Sequence, residues 1–248
     1  MEQKRRFELT SFTLHILATV FMLCDHLWAT VVPGNEWLTC VGRLTFPIFA
    51  FLIAEGYFHT KSRKNYVLRL LLFAAISEIP FNLMTSGSLI NPMHQNVLWT
   101  FLIGISLMLL IQWAKTEPRR MLRWLLVGPG VIFGCLIALF GMTDYMHFGV
   151  LSVLVFYLFR GRRWWCLLGQ LVCLWIINVE MMGGMFYTLE LFGREWIIQQ
   201  QGLALLALVP IWLYRGRQGL YSKALKYTYY IFYPAHLLIL YLLMLIIH

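Results

Sequence analysis

Charge is scarce in this chain, and negative charge scarcest: 12% of its 248 residues are charged, with 11 Asp and Glu against 20 Lys and Arg. So few charges beside 60% hydrophobic residues exclude an ordinary soluble domain. The mean hydropathy of +0.70 points to lipid as the main solvent. Cysteine is sparse as well. Cys24, Cys40, Cys135, Cys166 and Cys173 are odd in number, scattered and mostly inside apolar runs, which argues against a disulfide framework and against a metal site. Repeats, low-complexity stretches and linkers are lacking, and the segments between apolar runs are short. The expectation is one integral membrane domain over 1–248 with no soluble domain hidden in it.

What is present is a series of apolar runs of membrane-spanning length. A bilayer core of roughly 30 Å needs about 20 residues of helix. The runs predict spans at 10–31, 40–58, 66–85, 96–114, 121–141, 146–160, 164–181, 197–214 and 227–247. The fold class is therefore all-α, a polytopic transmembrane bundle of about nine helices, with eight to ten as the range. The run 146–160 is short, and Gly149 near Asp144 and His147 suits a tilted, re-entrant or broken segment. The first run is too long for a signal h-region and has no small-residue cleavage site, so it is expected to remain as a helix.

The placement of cations tests the span assignment. Of the 20 Lys and Arg, all but Arg43 and Arg194 fall on one side of the predicted bundle. Because Lys and Arg accumulate in cytoplasmic loops, this predicts a cytoplasmic N-terminus, an odd number of spans and an external C-terminus. The net charge of +9 is then a topological signal, and no nucleic-acid partner is expected. Turns are marked by Pro33-Gly34, Gly87, Asn91-Pro92, Gly183-Gly184 and Arg215-Gly216-Arg217. The segment 182–196 is expected to lie in the membrane interface, with Phe186, Tyr187 and Trp196 as anchors.

Polar residues inside the runs carry the functional signal, since each charge within a span costs at least a few kcal/mol. His26 lies deep in the first run with Asp25 directly before it. Adjacent helical residues point about 100° apart, so Asp25 is expected to pair elsewhere, with Arg43 as its natural partner. Glu78 and Asn82 lie in the third run, and Gln95 and Asn96 lead into the fourth. Glu55, His59, Tyr233 and His236 occupy the cytoplasmic half, and Pro234 is placed to kink the last helix. Simpler readings stand beside these. Glu55, His59 and Arg43 are close enough to run ends to snorkel, while His94, Asp144 and His147 suit solvated loops. A deep His with polar company suits a general base, and it suits a proton relay through His26, Glu78 and His236 equally well.

The motifs narrow this choice. Leu14-His15 through Cys24-Asp25-His26, then Gly42-Arg43-Leu44-Thr45-Phe46-Pro47, then Glu55-Gly56 with His59-Thr60 resemble the TraX family, named for the conjugation protein that acetylates the F-pilin N-terminus. Tyr66 with Arg69-Leu70, Ser77-Glu78-Ile79-Pro80-Phe81, Gln95-Asn96-Val97 and Phe232-Tyr233-Pro234-Ala235-His236 continue the pattern. It is dense over 14–101, returns at 225–240, and is little more than hydropathy between. The resemblance implies a multi-span acyltransferase of a bacterial inner membrane. It would take acetyl-CoA as acyl donor and a peptide, glycan or small molecule as acceptor.

On that implication the catalytic set is His26 as base with Asp25, Arg43 and Glu78. The cofactor side is His15, Glu55, His59, Tyr233 and His236, and the substrate side is Asn82, Gln95 and Asn96. The family usually carries Lys or Arg eleven residues before the His, where this chain has His15. A cation there depends on protonation, which bears on cofactor affinity rather than on reaction type. A proton-coupled transporter and a non-catalytic component of a transfer apparatus are the rival readings.

Overall fold

The computed structural model describes residues 8–116, 120–191 and 194–247. Lys4, Arg5, Arg6 and Arg119 of the cation pattern lie outside them. The elements in order are α1 (Ser11–Thr30), α2 (Glu36–Gly42), α3 (Thr45–His59), α4 (Arg63–Ser86), α5 (Val97–Thr116), α6 (Arg120–Phe140), α7 (Met146–Leu158) and α8 (Trp164–Trp175). After them come a π-helical turn (Ile176–Met181), β1 (Phe186–Leu191), β2 (Arg194–Gln199), a 3-10 segment (Gln200–Ala207), α9 (Leu208–Leu213) and α10 (Lys223–Ile247). Among the described residues seven helical segments are long and apolar enough to cross a membrane, and two shorter apolar ones, Met146–Leu158 and Gln200–Leu213, bring the total to nine. The protein is a multi-pass helical membrane protein.

Local chemistry sets the helix ends. Thr10 caps α1 by accepting from Thr13 N, and Ser62 caps α4 by accepting from Asn65 N. Gly87, at φ 68°, ends α4 in the left-handed conformation that favours glycine. The second span runs from Glu36 to His59, and it is broken at Arg43-Leu44 between α2 and α3.

Two segments depart from plain helix. Part of the segment expected to lie in the interface is an antiparallel hairpin in which Phe186 pairs Gln199 and Leu191 pairs Arg194. It also takes the first residues of the expected span 197–214, which continues as the 3-10 segment and α9. A hydrogen bond from Tyr187 Oη to Glu36 straps the hairpin to α2.

The short helix α7 is explained by its surroundings. Gly149 and seven of the eight residues from Val150 to Tyr157 are buried, and α7 packs against α3, α5, α6 and α8. A helix that is apolar all round and enclosed by protein has no need to match the bilayer thickness. The cations gather at one end of the bundle: Arg63 lies over Tyr57, Lys115 over Tyr157, and Arg160 over Phe58. The opposite end carries Arg43, His94 and Asp144. A main core joins α1, α3, α5, α7, α8 and α9, and a second, smaller cluster is formed by Met22, Phe81, Met84, Tyr233, Leu237 and Leu240 from α1, α4 and α10.

The second span approaches α1 closely at Gly42, where an added Cβ would fall 2.4 Å from Asp25 Cβ and Oδ1. Gly42→Ala is expected to push α2 off α1 and to cost about 1–3 kcal/mol. A thermal unfolding assay in detergent that follows exposure of the buried thiols would register a lowered midpoint. An unchanged midpoint would mean that the contact tolerates the methyl group.

Candidate functional site

Asp25 and His26 do diverge from α1. Asp25 Oδ1 accepts from Arg43 Nη2 at 2.7 Å and from Thr39 Oγ1 at 2.8 Å. Arg43 also donates through Nη2 to Thr39 Oγ1 at 3.0 Å and through Nε to the Thr39 carbonyl at 3.3 Å. Gln200 Nε2 reaches the same hydroxyl at 3.2 Å, so one partly buried knot ties α1, α2 and the 3-10 segment together.

His26 turns instead to α10. Its Nδ1 lies 2.8 Å from Nε2 of His236, whose own Nδ1 lies 2.8 Å from the Phe232 carbonyl. A carbonyl only accepts, so His236 Nδ1 carries a proton. In the neutral ring its Nε2 is then the acceptor. His26 therefore donates through Nδ1 and keeps the lone pair of Nε2. This is the tautomer of a general base, with His236 as the group that orients it. Asp144 and Arg43 lie within electrostatic range of His26.

The remaining polar groups at this end form a frame. Glu78 Oε2 accepts from Trp99 Nε1 at 2.8 Å and from Asn96 Nδ2. Asn96 also donates to the Ala74 carbonyl at 2.9 Å and accepts from Leu98 N at 3.1 Å, so its amide staples α4 to α5. Asn82 Nδ2 holds the Leu89 carbonyl at 3.3 Å, while its Oδ1 and Glu78 Oε1 are buried with no partner among the described residues. Gln95 shapes a loop: its backbone pairs with Met142 and Asp144, both at 2.8 Å, and its side chain holds the Asn91 carbonyl at 2.8 Å. The facing turn holds three non-glycine residues at positive φ, Met142, Tyr145 and Met146. Such strain persists only where surroundings enforce it. Here Thr100 donates to the Asp144 carbonyl, and the Tyr145 ring stacks on Phe46 at 3.9 Å.

Toward the cationic end a cavity of about 830 Å³ opens, lined by His15, Glu55, His59 and Tyr233 of the residues expected on the cofactor side. Its size falls in the usual range for small-molecule sites. His15 Nδ1 bonds the Ser11 carbonyl at 2.8 Å and its ring stacks on Tyr229 at 4.7 Å. Glu55 is paired with Arg160 at 2.6 Å and with His59 at 3.2 Å. The deep end is walled by Met22, Val97 and Tyr233. Met22 is one helical turn before His26, and Tyr233 is about one turn before His236. The cavity thus stops roughly 5 Å short of the histidine pair. His236 belongs to that pair and is not among the residues lining the cavity.

The chain matches the family description "TraX protein" over residues 11–244. The chain belongs to the TraX family. The "Probable fimbrial assembly protein FimC, serogroup H1" of Dichelobacter nodosus is 35% identical over 81 residues, 31% of this chain and 33% of that protein. The chain thus spans about a third of that relative's length. No solved structure matches.

Several groups in this TraX-family site escape sequence reasoning. Thr39 reads as the residue just before the second span and Trp99 as an ordinary span residue, while Arg160 reads as one more topological cation. Tyr145 gives no signal at all, because its role depends on a left-handed turn. Among the described residues, no group of three or more His, Cys, Asp or Glu is arranged to hold a metal ion.

The histidine pair and the His94–Asp144 ion pair each set a testable expectation. Nitrogen-15 NMR of histidine-labelled protein should find His26 protonated at Nδ1. His236→Ala should shift it toward the other tautomer, while His236→Gln, which still offers an acceptor, should preserve it. A His26 signal indifferent to both changes would refute the orienting role.

The second concerns His94, paired with Asp144 at 3.6 Å. The Asp144 carboxylate raises the His94 pKa above its ordinary 6.5, against the opposing effect of burial. A raised folded-state pKa adds stability that is fully present below pH 6.5 and is lost as pH rises through the folded value. Wild type should lose up to about 1 kcal/mol across that window, the modest amount typical of a half-exposed pair. His94→Gln should flatten the midpoint against pH, and a slope that survives the substitution would assign it to another group.

Proposed function

We propose that this chain is an acyltransferase of the bacterial inner membrane that moves an acetyl group from acetyl-CoA to an amine or hydroxyl. The observation that carries the reading is the His26–His236 pair, oriented as a base, one turn beyond a cavity that opens at the cationic end. By the distribution of Lys and Arg, that end and the N-terminus are cytoplasmic and the C-terminus is external. Family membership and the name of the fimbrial assembly relative support a pilin-like peptide as acceptor, with a glycan or small molecule as the other classes.

In this mechanism acetyl-CoA enters from the cytoplasmic mouth, where cations favour its phosphates, and extends its thioester past Tyr233 toward His26. The acceptor approaches from the opposite end. His26 Nε2 takes the acceptor proton as the nucleophile attacks the thioester carbonyl, and His236 Nε2 holds the Nδ1 proton of the imidazolium that forms. The tetrahedral intermediate collapses by breaking the carbon–sulfur bond, and the departing thiolate recovers the proton from His26. Arg43, held by Asp25 and Thr39, supplies positive potential for the oxyanion. The amides of Asn82 and Asn96 already hold backbone or Glu78, so in this reading they build the wall rather than the oxyanion site.

A relay through His26, Glu78 and His236 finds less support. Glu78 Oε2 bonds Trp99 and Asn96, and among the described residues no hydrogen bond joins it to either histidine.

The test is acetyl transfer from labelled acetyl-CoA by purified protein in detergent, with amine, peptide and sugar acceptors supplied together. Wild type should turn over, and His26→Ala should lose at least about a hundredfold. Undiminished turnover in the variant would remove His26 as base. Absence of CoA binding by wild type would sink the enzyme reading, and proton or solute flux in liposomes would then replace it.

A further inference from the structure

Away from the histidine pair, the cavity wall between α4 and α10 carries hydrogen-bond donors that lack acceptors. Arg69 lies six residues into α4, about 9 Å from the helix start. Its guanidinium lies within electrostatic range of Tyr230, and among the described residues neither its buried Nε nor the buried hydroxyl of Tyr229 has a hydrogen-bond partner. Lys226, one turn before Tyr229 and Tyr230 on α10, lies within electrostatic range of Arg69. All of these residues line the same cavity. Among the described residues no carboxylate pairs with Arg69 or Lys226, and Glu55, the acid of this cavity, is taken by Arg160 and His59.

Two neighbouring cations without a carboxylate, one of them with an unpaired Nε, and a buried hydroxyl without a partner among the described residues are incomplete in an apolar setting. An Arg inside a span is costly unless an anion or several acceptors meet it. Donors converging from two helices suit a tetrahedral anion with several oxygens better than a planar carboxylate, and Arg with Lys is the usual combination for phosphate. A second feature points the same way. Asn65 and Arg69 also line a crevice of about 270 Å³ with Leu68, Leu72 and Tyr227. The last three are exposed, on a surface that a membrane would cover. Arg69 therefore borders both the interior cavity and the lipid-facing side.

We propose that Arg69, Lys226 and Tyr229 form a phosphate-ester subsite in the wall between α4 and α10. The phosphate belongs either to a nucleotide donor such as CoA, lying in the cavity, or to a lipid headgroup, reached through the crevice. The first source rests on the acyltransferase reading, and the second does not.

The test uses the full chain in lipid nanodiscs, comparing wild type with Arg69→Gln, Arg69→Lys, Lys226→Gln and, as control, Arg215→Gln, an exposed cation outside the cavity lining. Equilibrium binding of CoA and of phosphate-free pantetheine is measured beside retention of phosphatidylglycerol in native mass spectrometry. For a nucleotide source, Arg69→Gln and Lys226→Gln each weaken CoA by about tenfold, Arg69→Lys by less, and pantetheine and the control are unchanged. For a lipid source, the same two variants lose phosphatidylglycerol and leave CoA alone. If wild type binds no CoA but the variants lose lipid, the donor reading falls and the subsite stands. Folded variants that bind both CoA and phosphatidylglycerol as wild type does would overturn the subsite while leaving the donor reading intact.

Discussion

A carboxylate inside an apolar helix must find a cation, and here the need of Asp25 for Arg43 organises the polar half of the bundle. The pairing at 2.7 Å draws the second span against α1 closely enough that only glycine fits at position 42. The second span breaks into α2 and α3 at Arg43, so the guanidinium is carried on a junction rather than along a continuous helix. Thr39 and Gln200 complete the knot, which recruits the 3-10 segment to the same place. With Asp25 engaged on that side, His26 is left to face α10, about 100° around the helix. His26 and its salt-bridged neighbour are thus separated by the geometry of α1 itself.

The same scarcity of partners in an apolar interior accounts for the other polar contacts. Glu78 is held by Trp99 and Asn96, and Glu55 by Arg160 and His59. α7 sits between these two ends with the strained turn of Asp144 and Tyr145 before it and Arg160 just after it. Being enclosed by protein, it can be short, and its length sets how far apart the two polar layers lie, roughly 20 Å for 13 residues. The cavity fills much of the depth between them on the α1, α4 and α10 side. On the proposed function, an acyl donor entering from one layer and an acceptor arriving from the other would meet near the histidine pair.

Much of this was legible in the residues. Apolar runs of about 20 residues, the one-sided cations and the polar breaks between them are enough to predict nine spans, including the short sixth. A 100° step between neighbours predicts that Asp25 leaves His26 and seeks Arg43. Less legible was the hairpin over 186–199, since an apolar stretch that short reads equally as helix or strand. The role of His236 was also hidden, because it depends on which face of α10 meets α1.

What the sequence by itself determined is therefore what depends on neighbours along the chain: span length, the side on which cations accumulate, and which polar residues lie too deep to be solvated. The tertiary structure alone decided the partners. His26 and His236 are 210 positions apart, and Glu55 and Arg160 are 105 apart. Helical periodicity says on which face a residue lies, but only the packing of the helices says what it meets there.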